Sequence, residues 1–298
     1  MNRIVGIGEV VWDVLPDGNH LGGAPINFTY YANALGAKGI PVSAVGADML
    51  GDKAVSEISS LGLDVSCIQR NELPTSRVLV TLDGRGGPQY EIVEGVAWDA
   101  IQCTPESLDA VSDADAICWG SLAQRSAVSK VSILSLVDSA PEECMKVFDI
   151  NIRQHFYDAD TLIGSLRRCN VLKLNEDELP LLCGMLGLPC GDDEGAAALC
   201  SRFSIDEVIL TKGGDCSKIY SRSRLVSSIP TPPHKMGDTV GAGDSFTASY
   251  VAARLDGMDI VQAHGLAVKV AAYVCSCRGA IVKNINQLIY INDEKVSL

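Results

Sequence analysis

The sequence predicts an α/β fold in which a mostly parallel central sheet is flanked by helices on both faces. The first indication is that helical stretches and short apolar strands alternate from about residue 104 onward. This alternation is typical of βαβ crossovers, whose strands are covered on both faces. The second is that strand-and-turn segments lie among the strands and helices predicted before residue 100. We expect them to form a small discontinuous β lid, from about 11–22 and 72–98, on a single domain spanning 1–298.

The N-terminal part of the chain predicts a strand, a hairpin and a helix. Residues 3–10 are apolar enough for a buried strand, and 12–20 predict a hairpin that turns at Asp17-Gly18. A helix follows to about Leu35, because Pro25 suits a first helical turn and Gly36 suits the residue after a helix. The other elements predicted before residue 100 are a strand at 41–46, a helix at 52–61 and a hairpin of 75–82 with 89–93.

Four apolar strands are predicted in the rest of the chain, with helices between them. In open parallel sheets, ligands bind beyond the carboxyl ends of the strands. Polar residues follow each strand, and we expect them to line one crevice, although strand ends are often polar without any function. The strands are Ala116–Trp119, Met145–Ile150, Val171–Leu174 and Val208–Thr211, and the polar residues are Gly120, Ser121, Asp149, Asn151, Arg153, Asn175, Glu178 and Thr211–Gly214.

The charge balance argues against two classes of partner. The chain of 298 residues carries 24 basic and 37 acidic side chains, which gives a formal charge of −13. A strongly acidic surface repels the phosphates of nucleic acids and anionic membranes. We therefore expect neither a nucleic-acid partner nor a membrane partner.

The remaining composition favours a cytoplasmic protein. The N-terminus has no apolar signal core, and the longest apolar run, Gly265 to Cys277, is interrupted by Lys269 and is too short to span a bilayer. The 11 cysteines are scattered and lack metal-finger spacing. We expect them to be reduced and mostly buried.

One stretch near the C-terminus predicts an anion site. Gly241, Ala242 and Gly243 stand directly before Asp244 and a helix-like run from Phe246 to Leu255. Small residues allow a ligand to approach the main chain, and the amides at a helix start attract phosphate. A carboxylate, an anion pocket and an acceptor hydroxyl are sufficient for phosphoryl transfer when a metal-bound nucleotide arrives in line. We therefore expect a kinase for a small polyol or sugar.

Simpler interpretations compete with this one. An acid beside glycine at a helix start is commonly only an N-cap, and Gly22 to Asn27, taken alone, is more typical of a turn followed by a surface helix residue. The Gly6-Ile7-Gly8 segment suggests a dinucleotide-binding fingerprint, but Val11 occupies the place of the third glycine. A nicotinamide dehydrogenase is therefore disfavoured. The chain also has no phosphate-binding loop that ends in Gly-Lys-Ser/Thr.

Three motifs in order along the whole chain resemble those of the ribokinase-like (PfkB) carbohydrate kinases. They are Gly22 to Asn27 (GGAPIN), Asn175 to Glu178 (NEDE) and Asp238 to Asp244 (DTVGAGD). Within that family, Gly8-Glu9, Trp12-Asp13 and Ala97-Trp98-Asp99 look most like bacterial fructokinases. Ala24 stands where ribokinases proper carry lysine, which argues against ribose.

The resemblance implies roles for individual residues. Asp244 would accept the proton of the acceptor hydroxyl, and the amides of Gly241, Ala242 and Gly243 would hold the charge of the transferring phosphoryl group. A sugar would be bound by Asp13, Gly23, Asn27, Asn151 and Arg153. Asn175 and Glu178 would organise Mg²⁺ and phosphate through water, and Thr211 and Gly213 would lie along the phosphates of ATP.

The resemblance also implies a cation and a partner. Many members use potassium, for which Asp238 and the carbonyl of Val240 would be ligands beside a loop near Cys277 to Gly279, although Asp238 is also suited to capping a turn. Relatives often pair through their lids, so a homodimer is an expectation. The acceptor would be fructose, and the alternatives are ribose, a sugar acid such as 2-keto-3-deoxygluconate, or a silent sugar-binding regulator. A regulator would be expected to lack Asp244.

Overall fold

The structure, a computed structural model, describes residues 1–15, 18–82, 88–233, 237, 239–283 and 285. It contains a large sheet, a small sheet and helices on both faces of the large sheet. The strands are β1 (Arg3–Ile7), β2 (Val11–Leu15), β3 (Gly18–Gly22), β4 (Lys38–Gly46), β5 (Ile68–Asn71), β6 (Arg77–Leu82), β7 (Pro88–Ile92), β8 (Ala116–Trp119), β9 (Met145–Asp149), β10 (Val171–Asn175), β11 (Glu207–Lys212), β12 (Cys216–Ser221) and β13 (Arg224–Pro230). The helices are α1 (Ala24–Ala34), α2 (Met49–Ser60), α3 (Pro105–Ser112), α4 (Ala127–Asp138), α5 (Ala159–Leu166), α6 (Glu178–Leu186), α7 (Asp192–Phe203), α8 (Ala242–Leu255) and α9 (Ile260–Cys275), with short 3₁₀ turns at Ala97–Ala100 and Leu122–Arg125.

The large sheet has nine strands in the order β13-β12-β11-β10-β9-β8-β1-β4-β5. Pairing is parallel from β11 through β5 and antiparallel at the β11-β12-β13 edge. The chain leaves β1 for β4 on one side and later returns to β8 on the other. The carboxyl ends of β1, β8 and β9 therefore meet at the topological switch point, where such sheets bind ligands.

Two apolar cores lie on opposite faces of this sheet. Successive strand residues alternate between them, as Val147 and Phe148 do on β9. One core packs against α1, α2, α8 and α9, and the other against α3 to α7. The stacked rings of Trp119 and Phe148, 5.7 Å apart, lie in the second core. The predicted arrangement of a mostly parallel sheet with helices on both faces is confirmed.

The small sheet has the order β3-β2-β6-β7 and is built from two separate parts of the chain. β2 pairs antiparallel with β3 and parallel with β6, so the two hairpins are joined edge to edge. Both predicted hairpins exist, and residues 16–17 and 83–87 at their turns, including Asp17, lie outside the described residues. β1 is followed directly by strand β2 and not by the helix that the rejected dinucleotide fingerprint would require.

Several element boundaries differ from the prediction. Helix α8 begins at Ala242, before the predicted Phe246, and β5, β12 and β13 were not predicted. None of the 11 cysteines, all within the described residues, forms a disulfide, and six of them are buried. None of the helices in the described part of the chain combines the length and the apolar character that a membrane crossing needs.

Candidate active site

A cleft lies at the carboxyl ends of β1, β8 and β9, beside the start of α8. It encloses about 370 Å³ of space, part of which is open to solvent. Carboxylates and main-chain groups face it from several elements that are distant in sequence. The polar lining includes Glu9, Gly120, Asp149, Asn151 and Asp244.

Helix α8 starts at this cleft because Gly241 permits an unusual backbone. Gly241 has φ of 76°, and a Cβ on it would lie 2.7 Å from the carbonyl oxygen of Ala280. Gly241 is the N-cap residue, so Asp244 is the third residue of the helix and not its cap. Since the first amides of a helix lack acceptors within the helix and lie at the positive end of its dipole, this end suits an anion. Of the predicted amides, that of Ala242 here donates to the Thr239 carbonyl at 3.2 Å.

Asn27 holds the carboxylate of Asp244. The side-chain amide of Asn27 donates to Asp244 Oδ2 at 2.7 Å, and Asn27 is only 4% exposed. Its Oδ1 is buried and accepts no hydrogen bond from the described residues. A buried acceptor without a donor is uncommon, and a ligand hydroxyl would satisfy it. Asn27 is therefore not the surface residue that the simpler interpretation allowed.

The protein surroundings change the acidity of Asp244. Burial raises the pKa of Asp244 to about 6, and the charge of Asp149 adds to the rise. The hydrogen bond from Asn27 and the charges of Lys173 and Arg153 lower the pKa but do not cancel the effect. The positive end of a helix dipole favours the ionised form of an acid, but desolvation outweighs that effect here. Asp244 is still mostly a carboxylate at neutral pH.

Glu9, which sequence reasoning did not select, faces the same cleft. Its Oε1 accepts a hydrogen bond from the amide of Ala24 at 3.3 Å, and burial raises the pKa of Glu9 to about 6. Gly23 has φ of 120°, and any Cβ there would collide with the main-chain carbonyl of Glu9. The glycine therefore lets the start of α1 approach the end of β1.

The Asn175 to Glu178 motif forms a bridge between two strand ends. The carboxylate of Glu178 accepts from the amides of Ile152 at 2.8 Å and Asn175 at 2.9 Å. Asn175 Oδ1 in turn accepts from the amides of Asp177 and Glu178, both at 2.9 Å. Burial raises the pKa of Glu178, although the charge of Lys173 opposes the rise. The motif fixes the loop after β9 relative to the loop after β10.

A buried ion pair below the cleft was also missed from the sequence. Lys173 Nζ donates to Asp149 Oδ1 at 3.0 Å, and the Thr247 hydroxyl lies 3.1 Å from Asp149 Oδ2. Burial lowers the pKa of Lys173, but the charges of Asp149 and Glu178 outweigh it, so the pKa is raised overall. The signal available in the sequence was a lysine inside an apolar strand.

Other predicted residues lie around the cleft rather than in its lining. Thr211 and Gly213 are at the end of β11; Gly213 has φ of 47°, and a Cβ on it would lie 3.1 Å from Glu176 Oε1. Arg153 is exposed and its charge lowers the pKa of both Glu9 and Asp244. Asp13 is on the small sheet.

The predicted cation ligands are only partly described. Asp238 lies outside the described residues, and Val240 is 49% exposed beside Gly241. The neighbouring loop does pack here, since a Cβ on Gly237 would lie 2.5 Å from the Cys277 carbonyl oxygen. Within the described ranges, no group of three or more His, Cys, Asp or Glu side chains is arranged to hold a metal ion.

Comparison with known proteins identifies the class. The chain belongs to the pfkB family of carbohydrate kinases, whose family model matches residues 8–287. It is 25% identical to a sugar kinase of Pyrococcus horikoshii over 93% of this chain and 91% of that protein. It is 28% identical to a fructokinase of Klebsiella pneumoniae over 89% of this chain and 86% of that protein.

Solved structures agree on the fold. A fructokinase from Xylella fastidiosa with bound ATP superimposes with a TM-score of 0.85, covering 99% of this chain and 100% of that one at 20% identity. The predicted ribokinase-like fold is thereby confirmed.

Proposed function

We propose that the protein is an ATP-dependent kinase that transfers the γ-phosphoryl group to the 6-hydroxyl of fructose. The observation that carries the proposal is the carboxylate of Asp244, which faces the cleft from the first turn of α8 and is held by Asn27 at 2.7 Å. The 28% identity to a fructokinase supports the choice of sugar.

The reaction needs one proton acceptor and one anion pocket. The sugar hydroxyl oxygen forms a bond to the γ-phosphorus, the bond from that phosphorus to the β–γ bridging oxygen breaks, and ADP leaves with the electron pair. The hydroxyl proton passes to Asp244. The amides of Gly241, Ala242 and Gly243 stabilise the charge on the phosphoryl oxygens. A loose transition state requires little basicity, so a carboxylate with a pKa of about 6 is sufficient.

Sugar recognition requires buried polar groups whose loss is costly. The unsatisfied Oδ1 of Asn27 fits a sugar hydroxyl that donates to it. Gly23 directly precedes Ala24, which lines the cleft together with Asn151. We assign the remaining contacts to Asp13, from the small sheet, and to Arg153. The same set would serve a different sugar or a sugar acid, which remains the alternative.

The nucleotide site is assigned to the neighbouring strand ends. Asn175 and Glu178 fit Mg²⁺ held through water, because both oxygens of Glu178 already accept main-chain amides and Mg²⁺ usually retains several waters. The metal would neutralise charge on the nucleotide phosphates. Thr211 and Gly213, at the end of β11, would lie along those phosphates.

A potassium site fits the loop pair beside α8. The carbonyl of Cys277 lies against Gly237, and hard cations prefer oxygen ligands of this kind. The carbonyl of Ala280, by contrast, already accepts from the Tyr31 hydroxyl at 2.6 Å. Asp238 and the carbonyl of Val240 would complete the ligand set. We also propose that the chain is one cytoplasmic kinase domain whose small sheet acts as a lid, and that two lids pair in a homodimer.

The test is ADP release with ATP and Mg²⁺ across fructose, ribose, 2-keto-3-deoxygluconate, tagatose and adenosine, with and without potassium. A strong preference for fructose is expected. A preference for another sugar would overturn the substrate and keep the mechanism. Turnover with none of them, from protein shown to be folded, would favour the silent regulator.

A further inference from the structure

A buried cation lies directly beneath the start of α8. The side chain of Lys173 is 8% exposed and belongs to β10, in the middle of the large sheet. A Cβ placed on Gly243 would lie 3.3 Å from Lys173 Nζ, so the ammonium group reaches the second residue of the helix. The cation thus lies beside Gly243, one of the three residues whose amides we assign to the phosphoryl group.

The ammonium is held in place by Asp149. Asp149 Oδ1 accepts from Lys173 Nζ at 3.0 Å, and the Thr247 hydroxyl lies 3.1 Å from Asp149 Oδ2 and 3.0 Å from the carbonyl oxygen of Gly243. Thr247 is fully buried. The first turn of α8, Asp149 and Lys173 therefore form one closed arrangement around Gly243, and Asp244 is part of the same turn.

The groups that face Asp244 come from every element around it. The negative ones are Glu9 after β1 and Asp149 on β9; Tyr31 on α1 and Cys118 on β8 are neutral, since burial raises the pKa of each. The positive ones are Arg153 and Lys173. Arg153 is exposed, so water and salt screen its charge, whereas the charge of Lys173 is screened much less.

We propose that Lys173 is a positioning residue for phosphoryl transfer, whose fixed ammonium keeps Asp244 a carboxylate and adds positive charge beside Gly243. This inference rests on the proposed kinase function. It predicts that the two members of the ion pair have opposite effects on Asp244. Loss of Lys173 removes a positive charge that stabilises the Asp244 carboxylate. Loss of Asp149 removes a negative charge that destabilises it and leaves the charge of Lys173 unopposed.

The direct test is a carbon-13 NMR titration of the aspartate carboxyl groups in the native protein and five variants. The Asp244 signal is assigned by its absence in Asp244→Asn. We expect the titration midpoint of Asp244 to rise by about one pH unit in Lys173→Met, to fall in Asp149→Asn and to stay close to the native value in Lys173→Arg. The matched control is Arg254→Met, which breaks another ion pair, Arg254–Glu207 at 2.8 Å, far along α8 and should leave the midpoint unchanged.

An unchanged midpoint in folded Lys173→Met, or shifts of the same sign in Lys173→Met and Asp149→Asn, would overturn the proposal. If Lys173→Met does not fold, the downward shift in Asp149→Asn carries the test, and its absence is then decisive. This titration needs no substrate. It therefore gives an answer even if the native protein phosphorylates no sugar, which would refute the proposed function separately.

Kinetics supply the second readout once a sugar substrate is found. In Lys173→Met, kcat should fall while the KM for the sugar changes little, and the loss should be about fivefold larger at pH 6 than at pH 8, because fewer molecules then carry an ionised base. Lys173→Arg should restore most of the activity. An equal loss at both pH values would indicate a merely structural role and contradict the proposal.

Discussion

At the level of single residues, the main chain at Gly241 does not accept a side chain without strain. Its φ of 76° is unfavourable for other residues, and a Cβ would lie 2.7 Å from the Ala280 carbonyl oxygen. Both effects act on the turn that starts α8. Replacing glycine by alanine has the opposite effect on stability where the glycine lies inside a helix with open space around it.

We therefore predict that Gly241→Ala destabilises the protein by about 1–3 kcal/mol, while the control Gly265→Ala stabilises it by about 0.5–1 kcal/mol. Gly265 lies within α9, and a Cβ on it would meet nothing within 4 Å. Urea unfolding at pH 7.5 measures both. Equal effects of the two substitutions would contradict the assigned backbone constraint.

At the scale of elements, two similar ion pairs differ mainly in burial. Arg125 pairs with Asp99 and Arg168 with Asp138, each through two nitrogens at 2.8 and 2.9 Å. The carboxylate side chain is 11% exposed in the first pair and 53% in the second. Arg125 also donates to the carbonyl of Val93 at 2.7 Å, so the buried pair fixes the chain where it leaves the small sheet.

We therefore expect the two pairs to differ in how much stability is lost when the carboxylate is removed. Asp99→Ala should lower the free energy of unfolding by about 3–5 kcal/mol, because it leaves the Arg125 guanidinium buried and unpaired. Asp138→Ala should cost less than about 1 kcal/mol, because water replaces the exposed partner. Chemical denaturation of both variants measures the difference. Similar losses in the two would show that burial does not decide the contribution of the pair.

The contact of α9 with the edge hairpin predicts sensitivity to acid. His264 is fully buried between the hydroxyls of Ser217 and Ser227, each 2.7 Å from a ring nitrogen, and burial lowers the pKa of His264 to about 4. The unfolded chain, with a pKa near 6.5, therefore binds the proton first as the pH falls. The stability from this group is complete above pH 6.5 and is lost between pH 6.5 and 4.

Between pH 7 and pH 5 this loss should reach about 2 kcal/mol. His264→Gln should be less stable than the native protein at pH 7, because it loses the buried ring. Its free energy of unfolding should fall less between pH 7 and pH 5, because glutamine cannot titrate. The measurement is the difference between native and variant unfolding free energies at the two pH values, which cancels the contributions of other groups. Parallel curves would contradict the neutral state of His264.

Sequence reasoning succeeded where local signals were strong. The apolar strand Ala116–Trp119 and the helix that follows Gly23 were placed nearly as the structure has them. The β12–β13 hairpin was missed because Arg222 and Ser223 turn the chain with φ of 47° and 67°. Such turns normally carry asparagine or glycine, so the usual signal was missing. β5 (IQRN) lies at the sheet edge and lacks an apolar pattern.

In the candidate site, too, local motifs were recognised from the sequence and contacts between distant elements were not. Asp244 and Asn27 belong to recognisable motifs and were selected, but their 2.7 Å contact joins residues 217 positions apart. The importance of Lys173 depends on Asp149 and Thr247, which come from other elements. No local pattern reports such a network, since its members meet only after the sheet and helices have packed.

At the scale of the whole molecule, the parallel sheet brings the ends of β1, β8 and β9 to one cleft, and α8 presents an acid there. The proposed function requires that the Asp244 carboxylate accepts the proton during transfer to a sugar. Its replacement by asparagine keeps the size and removes the charge. The acid is third in the helix and does not cap it, so the fold should survive.

The most direct measurement is sugar-dependent ADP release by the native protein and by Asp244→Asn at pH 8, with ATP, Mg²⁺ and fructose, on samples with matching circular dichroism spectra. We predict that the substitution lowers kcat by about a hundredfold to ten-thousandfold. Near-native kcat in folded Asp244→Asn would exclude Asp244 as the proton acceptor, because the proton would then leave by another route.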